Sequence, residues 1–205
     1  MDLDFADDAR SILDARFAAR EQGITGSRKV IRASANGIRA LHRGEWEGAA
    51  TLIAEAGSLL AEIGKELEGH PDILHAGFIS DAAKEYAEAR LTEALFKEEP
   101  LPGFSQLGVD PVPYLHGLGE AVGELRRRML DMLRAGEVDE AQSILEAMDR
   151  IVDLLAEMDY PDGMTNGLRR TTDVSRSLVE RSRSDLTATV VQERLREDLA
   201  RLRLT

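Results

Sequence analysis

Apolar residues recur every three to four positions along most of this chain, which is the period of a helix that buries one face. No segment alternates apolar and polar residues as a half-buried strand does. The pattern therefore predicts an all-α protein. Seven helices are expected, at Phe5–Gln22, Ser27–His42, Glu45–Glu68, Leu74–Lys97, Tyr114–Arg134, Val138–Met158 and Leu168–Leu186.

Short turns rich in glycine and proline separate these helices and predict one antiparallel bundle over residues 1–205. The segment 23–27, with Gly23 and Gly26, is interpreted as a break. A single long kinked helix is the alternative interpretation, since a glycine inside a helix costs only about 1 kcal/mol of helix stability. The segment 99–110 is expected to be an irregular loop, and 190–205 a charged C-terminal extension.

The fourth predicted helix is apolar almost all round, as in a helix inside a bundle. Within it, Asp81, Glu85 and Glu88 fall on one narrow face, because residues three and four apart are neighbours on a helix. Several carboxylates in an apolar setting repel one another and lose hydration. A divalent cation relieves both costs, so this stripe is a candidate metal or acid–base site.

A plainer interpretation of the stripe stays open: an exposed polar face, or carboxylates that pair with Lys84 or Arg90. Other acidic residues lie at the edge of apolar faces on two later helices, and any of them could approach Glu85 and Glu88 in a bundle. They are Glu120, Glu124, Glu146, Asp149 and Asp153. Each of them, taken alone, is equally consistent with a solvated helix flank.

The net charge of −12 argues against nucleic-acid binding when taken alone, because phosphate contacts need positive charge. Positive charge is nevertheless concentrated on two helices, and each group is either a phosphate-binding surface or an ordinary charged one. The groups are Arg28, Lys29, Arg32, Arg39, His42 and Arg43, and then Arg169, Arg170, Arg176, Arg181 and Arg183.

Several classes of protein and site are disfavoured. The chain has no cysteine, and none of its four histidines follows a glutamate by three residues, which argues against zinc sites and ferritin-type di-iron sites. No phosphate-binding loop or nucleophile elbow is present. The acidic start, Met1–Asp4, is unlike a signal peptide, and no apolar run approaches the ~20 residues that span a bilayer. We expect a soluble cytoplasmic protein.

Five segments in order resemble the translin family, which comprises translin and translin-associated factor X. They are Ile38–Gly44, Lys84–Ala89 (KEYAEA), Leu107–Leu118 (LGVDPVPYLHGL), Gly123–Arg126, and Tyr160–Asp162 with Gly167–Val174. The resemblance covers about 27–185. The glycines at 23 and 26 depart from the long first helix that this family would have.

The resemblance implies a helical protein that assembles into octamer-like shells and binds single-stranded RNA or DNA. For a member of the factor X branch, the resemblance implies a magnesium-dependent endoribonuclease, with Mn²⁺ as an alternative ion. Its metal ligands carry over onto Glu85 and Glu88, and by local alignment onto Asp149. We take Arg32, Arg39, His42 and Arg43 as candidate phosphate contacts. The rival interpretations are a non-catalytic nucleic-acid-binding scaffold and a helical regulator that binds no nucleic acid.

Overall fold

A computed structural model describes residues 5–202, so Met1–Asp4 and the last three residues of the C-terminal extension lie outside it. Within this range the chain is helical and has no strand, which confirms the all-α prediction. The helices are α1 (Phe5–His42), α2 (Trp46–Glu66), α3 (Pro71–Leu74), α4 (Gly77–Phe96), α5 (Phe104–Leu107), α6 (Pro111–Ala135), α7 (Val138–Glu157), α8 (Asp162–Thr165) and α9 (Leu168–Leu202). None of them has the length and apolar content that crossing a membrane requires.

The predicted number of seven helices is wrong, because residues 5–202 form nine. The first two predicted helices are one helix of 38 residues, so the predicted break at 23–27 is also wrong. Three helices of four residues lie in the connections. One of them, α5, occupies the loop that was expected to be irregular, where the Gly103 amide donates a hydrogen bond to Gln106 Oε1 at 2.7 Å. The extension beyond 190 continues α9 to Leu202.

The chain divides into two compact units, Met1–Gly117 and Leu118–Thr205, and the boundary falls inside α6. Each unit has its own helix pairs, and they are described separately below. The expectation of one domain over 1–205 stays a prediction.

In the first unit, α1 and α2 pack closely because glycines of α1 face large side chains of α2. A β-carbon placed on Gly37 would lie 2.6 Å from Ile53 Cγ1, and one on Gly26 would lie 2.7 Å from Ile63 Cγ1. The order of contacts along α1 is reversed along α2, so the two helices are antiparallel. These glycines permit close approach and do not interrupt α1, and the family's long first helix is therefore present.

Helix α4 runs parallel to α1 in the same unit. A β-carbon on Gly23 would lie 3.1 Å from Phe78 Cε2 near the start of α4, and His42 contacts Phe96 edge-on at its end, with ring centroids 5.1 Å apart. The buried residues of α4 point in most directions, as the sequence predicted. They are Ile79, Ala82, Ala83, Ala87, Glu88, Ala89, Leu91, Thr92, Glu93, Ala94 and Phe96.

In the second unit, the part of α6 from Leu118 onward packs with α7 and α9. Ser175 of α9 donates a hydrogen bond to the Gly119 carbonyl oxygen at 3.0 Å. Further along both helices, Arg126 donates to Ser182 Oγ and to Asp185 Oδ2, each at 2.8 Å. This order of contacts makes α6 and α9 parallel.

Candidate functional site

The acidic stripe on α4 divides into an exposed residue and a close pair. Asp81, near the start of the helix, is exposed, Glu85 is half-buried, and Glu88 is only 8% exposed. Glu85 and Glu88 each offer a carboxylate oxygen within 4.8 Å of the other, as expected for side chains one helical turn apart. Two like charges this close in a largely buried setting form the most concentrated negative site that the sequence analysis singled out.

One of these carboxylates also has a cationic neighbour. The Lys84 ammonium lies 3.3 Å from Glu85 Oε1, and both side chains are about one-quarter exposed, at 23% and 26%. This is one of the pairings that the plainer interpretation expected. The other, between the stripe and Arg90, does not form, because Arg90 pairs with Glu93.

The first turns of α6 lie directly against this part of α4. A β-carbon placed on Gly117 would lie 2.8 Å from both the Glu88 amide nitrogen and the Lys84 carbonyl oxygen. It would also lie 3.1 Å from the Ala87 side chain. The backbones of the two helices therefore meet at the segment that carries Glu85 and Glu88.

Asp149, the third predicted ligand, lies on α7 in the second unit and is bound by arginine. Arg183 of α9 donates hydrogen bonds to both of its carboxylate oxygens, at 2.8 and 3.0 Å. Its neighbour Glu146 is exposed and accepts a hydrogen bond from Gln142, and Asp153 is exposed. That Asp149 joins Glu85 and Glu88 stays a prediction.

The predicted phosphate contacts lie at the C-terminal half of α1. Arg32 and Arg39 are exposed, and Arg39 donates to the Asn36 side chain. Arg28, Arg32 and Arg39 lie within about 40° of one another around the helix, given 100° per residue, and Arg43 lies in the turn directly after α1. We call Arg28, Arg32, Arg39 and Arg43 the α1 arginine stripe.

Two more of the four predicted contacts, besides Arg39, have other partners. Arg43 donates to both carboxylate oxygens of Glu45, at 2.7 and 2.6 Å, and this bond raises the pKa of Arg43 and lowers that of Glu45. His42 is half-buried against Phe96. Arg28 and Arg32, by contrast, form no salt bridge with any residue between 5 and 202.

Three of the five basic residues predicted on α9 have partners in the second unit. Arg176 pairs with Asp173 at 3.1 Å, and Arg183 binds Asp149 as described above. Arg181 donates to the Ser177 carbonyl oxygen at 3.2 Å. Two of the five basic residues predicted on this helix are thus paired with carboxylates of the second unit.

A buried carboxylate on α4 was missed by the sequence analysis. The side chain of Glu93 is only 4% exposed and bonds Arg90 and, at 2.7 Å, the Lys97 ammonium. The spacing of these three residues, i−3 and i+4 about Glu93, was the available signal. Because two cations neutralise Glu93, it is a structural ion pair and lies apart from the Glu85–Glu88 pair.

The chain is similar in sequence to a known protein and in fold to several solved structures. No protein-family model matches the chain. It is 27% identical over 192 residues to the "Uncharacterized protein MJ0175" of Methanocaldococcus jannaschii, an alignment that spans 91% of this chain and 83% of that protein.

Three solved structures share the fold over nearly their whole length. The crystal structure of AfC3PO, and the structure of AfC3PO in complex with duplex RNA, are each 33% identical to this chain. Both alignments cover 91% of this chain and 97% of AfC3PO, with TM-scores of 0.84 and 0.83 respectively. Apo-NeC3PO, at 20% identity, covers 92% of this chain and 99% of its own with a TM-score of 0.82, and supports the fold alone.

Proposed function

This chain belongs to the translin family, and on that premise we propose that it binds RNA and cleaves it with the help of a divalent cation held by Glu85 and Glu88. The observation that carries the proposal is the pair of carboxylates within 4.8 Å on a largely buried helix. The relative AfC3PO was solved with duplex RNA, which supports an RNA substrate here. The resemblance to the factor X branch supports endoribonuclease activity.

The chemistry of the pair fits magnesium. Mg²⁺ prefers carboxylate oxygens at about 2.1 Å, so two ligand oxygens lie up to roughly 4.2 Å apart. The Glu85 and Glu88 oxygens, which lie within 4.8 Å of each other, are compatible with that spacing. When bound, the cation would polarise the scissile phosphate and lower the pKa of an attacking water. The carboxylates hold and orient the ion, and Mn²⁺ satisfies the same ligands.

A third ligand is expected from α7. Asp149 is the residue that the resemblance assigns, and it would have to exchange Arg183 for the ion. Calorimetric titration of Asp149→Asn with Mn²⁺ tests this ligand, with Glu146→Gln, an exposed acid of the same helix, as the control. A loss of Mn²⁺ affinity in Asp149→Asn alone supports the assignment.

The α1 arginine stripe is the proposed RNA-binding surface. Arg32 and Arg39 are exposed, and the four arginines extend over about 22 Å at 1.5 Å per residue. Such a row follows a phosphate backbone and needs no base contacts, so binding should be weakly selective for sequence and sensitive to salt. Arg43 contributes once it releases Glu45, and His42 supports the surface from its contact with Phe96.

The decisive experiment incubates the pure protein with end-labelled RNA, single-stranded and duplex, with and without Mg²⁺. We expect cleavage that requires Mg²⁺, and its loss in Glu85→Gln and Glu88→Gln with RNA binding retained, because the amide keeps the shape but removes charge. Asp81→Asn, an exposed acid of the same helix, is the matched control. Tight RNA binding with no Mg²⁺-dependent cleavage by the wild type would instead support the non-catalytic scaffold.

We also propose a homo-oligomer, of the octamer-like kind that the resemblance implies. Large apolar side chains are exposed at the N-terminal end of α1 and the C-terminal end of α9. They are Phe5, Ile12, Leu13, Phe17, Val191, Leu195, Leu199 and Leu202, each at least 49% exposed. Exposed apolar stripes of this kind mark association surfaces. Light scattering at micromolar concentration tests this, and a single-chain mass of 22.6 kDa would refute it.

A further inference from the structure

Gly117 makes a backbone-to-backbone contact that no residue with a side chain could make. Its α-carbon faces the Lys84–Glu88 segment of α4, where an added β-carbon would meet the Glu88 nitrogen and the Lys84 oxygen, both at 2.8 Å. Contacts of β-carbons under 3.0 Å essentially never occur in proteins. Because both atoms belong to the backbone of a helix, they cannot rotate away as the end of a side chain can.

Helix propensity does not explain a glycine at this position. Glycine in a helix interior costs about 1 kcal/mol relative to alanine. On the same helix, a β-carbon added at Gly119 would crowd the Thr171 side chain of α9, and one at Gly123 would find its nearest neighbour, Leu178 Cδ1, at an ordinary 3.9 Å. Among these three glycines, Gly117 is the one whose β-carbon would meet backbone atoms of α4. The contact falls on the turn of α4 that carries Glu85 and Glu88.

We propose that Gly117 is a positioning residue for the cation site, which lets the backbone of α6 lie against α4 and so fixes the Glu85 and Glu88 carboxylates. This inference rests on the proposed metal site. A side chain at Gly117 must push the Lys84–Glu88 segment away from α6 or twist it. Either shift moves the Glu85 and Glu88 carboxylates out of the geometry in which they share an ion, while the arginine stripe, on α1, is left in place.

The test measures Mn²⁺ affinity by electron paramagnetic resonance, which reports the free ion directly and needs no catalysis. In Gly117→Ala we expect an affinity weakened by roughly tenfold or more, the usual effect of disturbing the support of a metal site. Helix content and RNA affinity should match the wild type, and excess Mn²⁺ should restore cleavage. Gly123→Ala is the neutral control on the same helix.

A second control separates positioning from general destabilisation. Gly37→Ala crowds Ile53 at 2.6 Å in the α1–α2 contact and should lower stability while leaving Mn²⁺ affinity unchanged. Should Gly117→Ala not fold, Ala87→Ser adds one oxygen from the α4 side of the same contact. This milder variant should show a smaller loss of Mn²⁺ affinity.

The outcomes distinguish this inference from the proposed function. If the wild type binds no Mn²⁺ at millimolar concentration, the metal site itself fails. If the wild type binds Mn²⁺ and the soluble Gly117→Ala or Ala87→Ser protein binds it equally well, the positioning role of Gly117 is wrong. If Gly37→Ala weakens Mn²⁺ binding as much as Gly117→Ala, the effect is general destabilisation and the inference is again overturned.

Discussion

The substitution Gly26→Ala tests whether α1 and α2 are packed as closely as the structure shows. The added β-carbon would lie 2.7 Å from Ile63 Cγ1 and 2.8 Å from Ile63 Cδ1. Two non-bonded carbons favour about 3.5–4.0 Å, so the contact is short by roughly 1 Å. Ile63 is only 4% exposed, so its side chain is packed on most sides.

Two opposing terms set the change in free energy of unfolding that Gly26→Ala causes. Alanine gains about 1 kcal/mol over glycine in helix propensity, whereas overpacking a filled core costs about 1–3 kcal/mol. Gly64→Ala on α2 has only the first term, because nothing lies within 4 Å of its added β-carbon. The difference between the two variants in free energy of unfolding should therefore be about 1–3 kcal/mol, with Gly26→Ala the less stable.

The assay is urea denaturation followed by circular dichroism at one fixed protein concentration. Ile63→Ala alone should cost about 2–5 kcal/mol, since it leaves a cavity. The double variant Gly26→Ala/Ile63→Ala removes both atoms that the new methyl group would meet, so its loss should be smaller than the sum of the single losses. The reasoning is refuted if Gly26→Ala is stabilised as much as Gly64→Ala.

Two further predictions concern RNA binding and pH. Arg32→Ala and Arg39→Ala should each weaken RNA binding at all sequences and lower the slope of log affinity against log salt by about 1, measured by fluorescence anisotropy. Tyr114→Phe removes a hydrogen bond to the Pro102 carbonyl oxygen (2.9 Å), at a cost of about 1 kcal/mol. Burial raises the pKa of Tyr114, so the folded state favours the neutral phenol. The stabilisation from the neutral Tyr114 phenol is present below the tyrosine pKa of about 10 in the unfolded state and is lost as the pH rises above it. In urea denaturation, raising the pH into the alkaline range should therefore lower the midpoint of Tyr114→Phe less than that of the wild type.

Some of this molecule could be predicted from the period of its apolar residues. The nearly uniform apolar character of α4 indicated a buried helix, and Glu88 is buried on it. The order of five short segments indicated the translin family, which the comparisons confirm. These features depend on local spacing or on residue identity, both of which a sequence displays directly.

Features that depend on what an element packs against could not be predicted in this way. Glycine at 26 predicted a break, because a sequence does not show that Ile63 lies opposite it. The sequence also does not show that Asp149 is bound by Arg183, which lies 34 residues further along the chain on another helix. In each case the deciding contact is long-range.

The N-terminal end of α1 has a thermodynamic consequence of its own. Residues 5–18 are all exposed, and an isolated helix of about this length is only marginally stable in water. Ordering those residues without burial costs roughly 1–2 kcal/mol each in backbone entropy. The proposed association, by covering Phe5, Ile12 and Phe17, would offset that cost, and folding of this segment and assembly would then be linked equilibria. Its amide hydrogens should exchange quickly in dilute protein and become protected as the concentration rises.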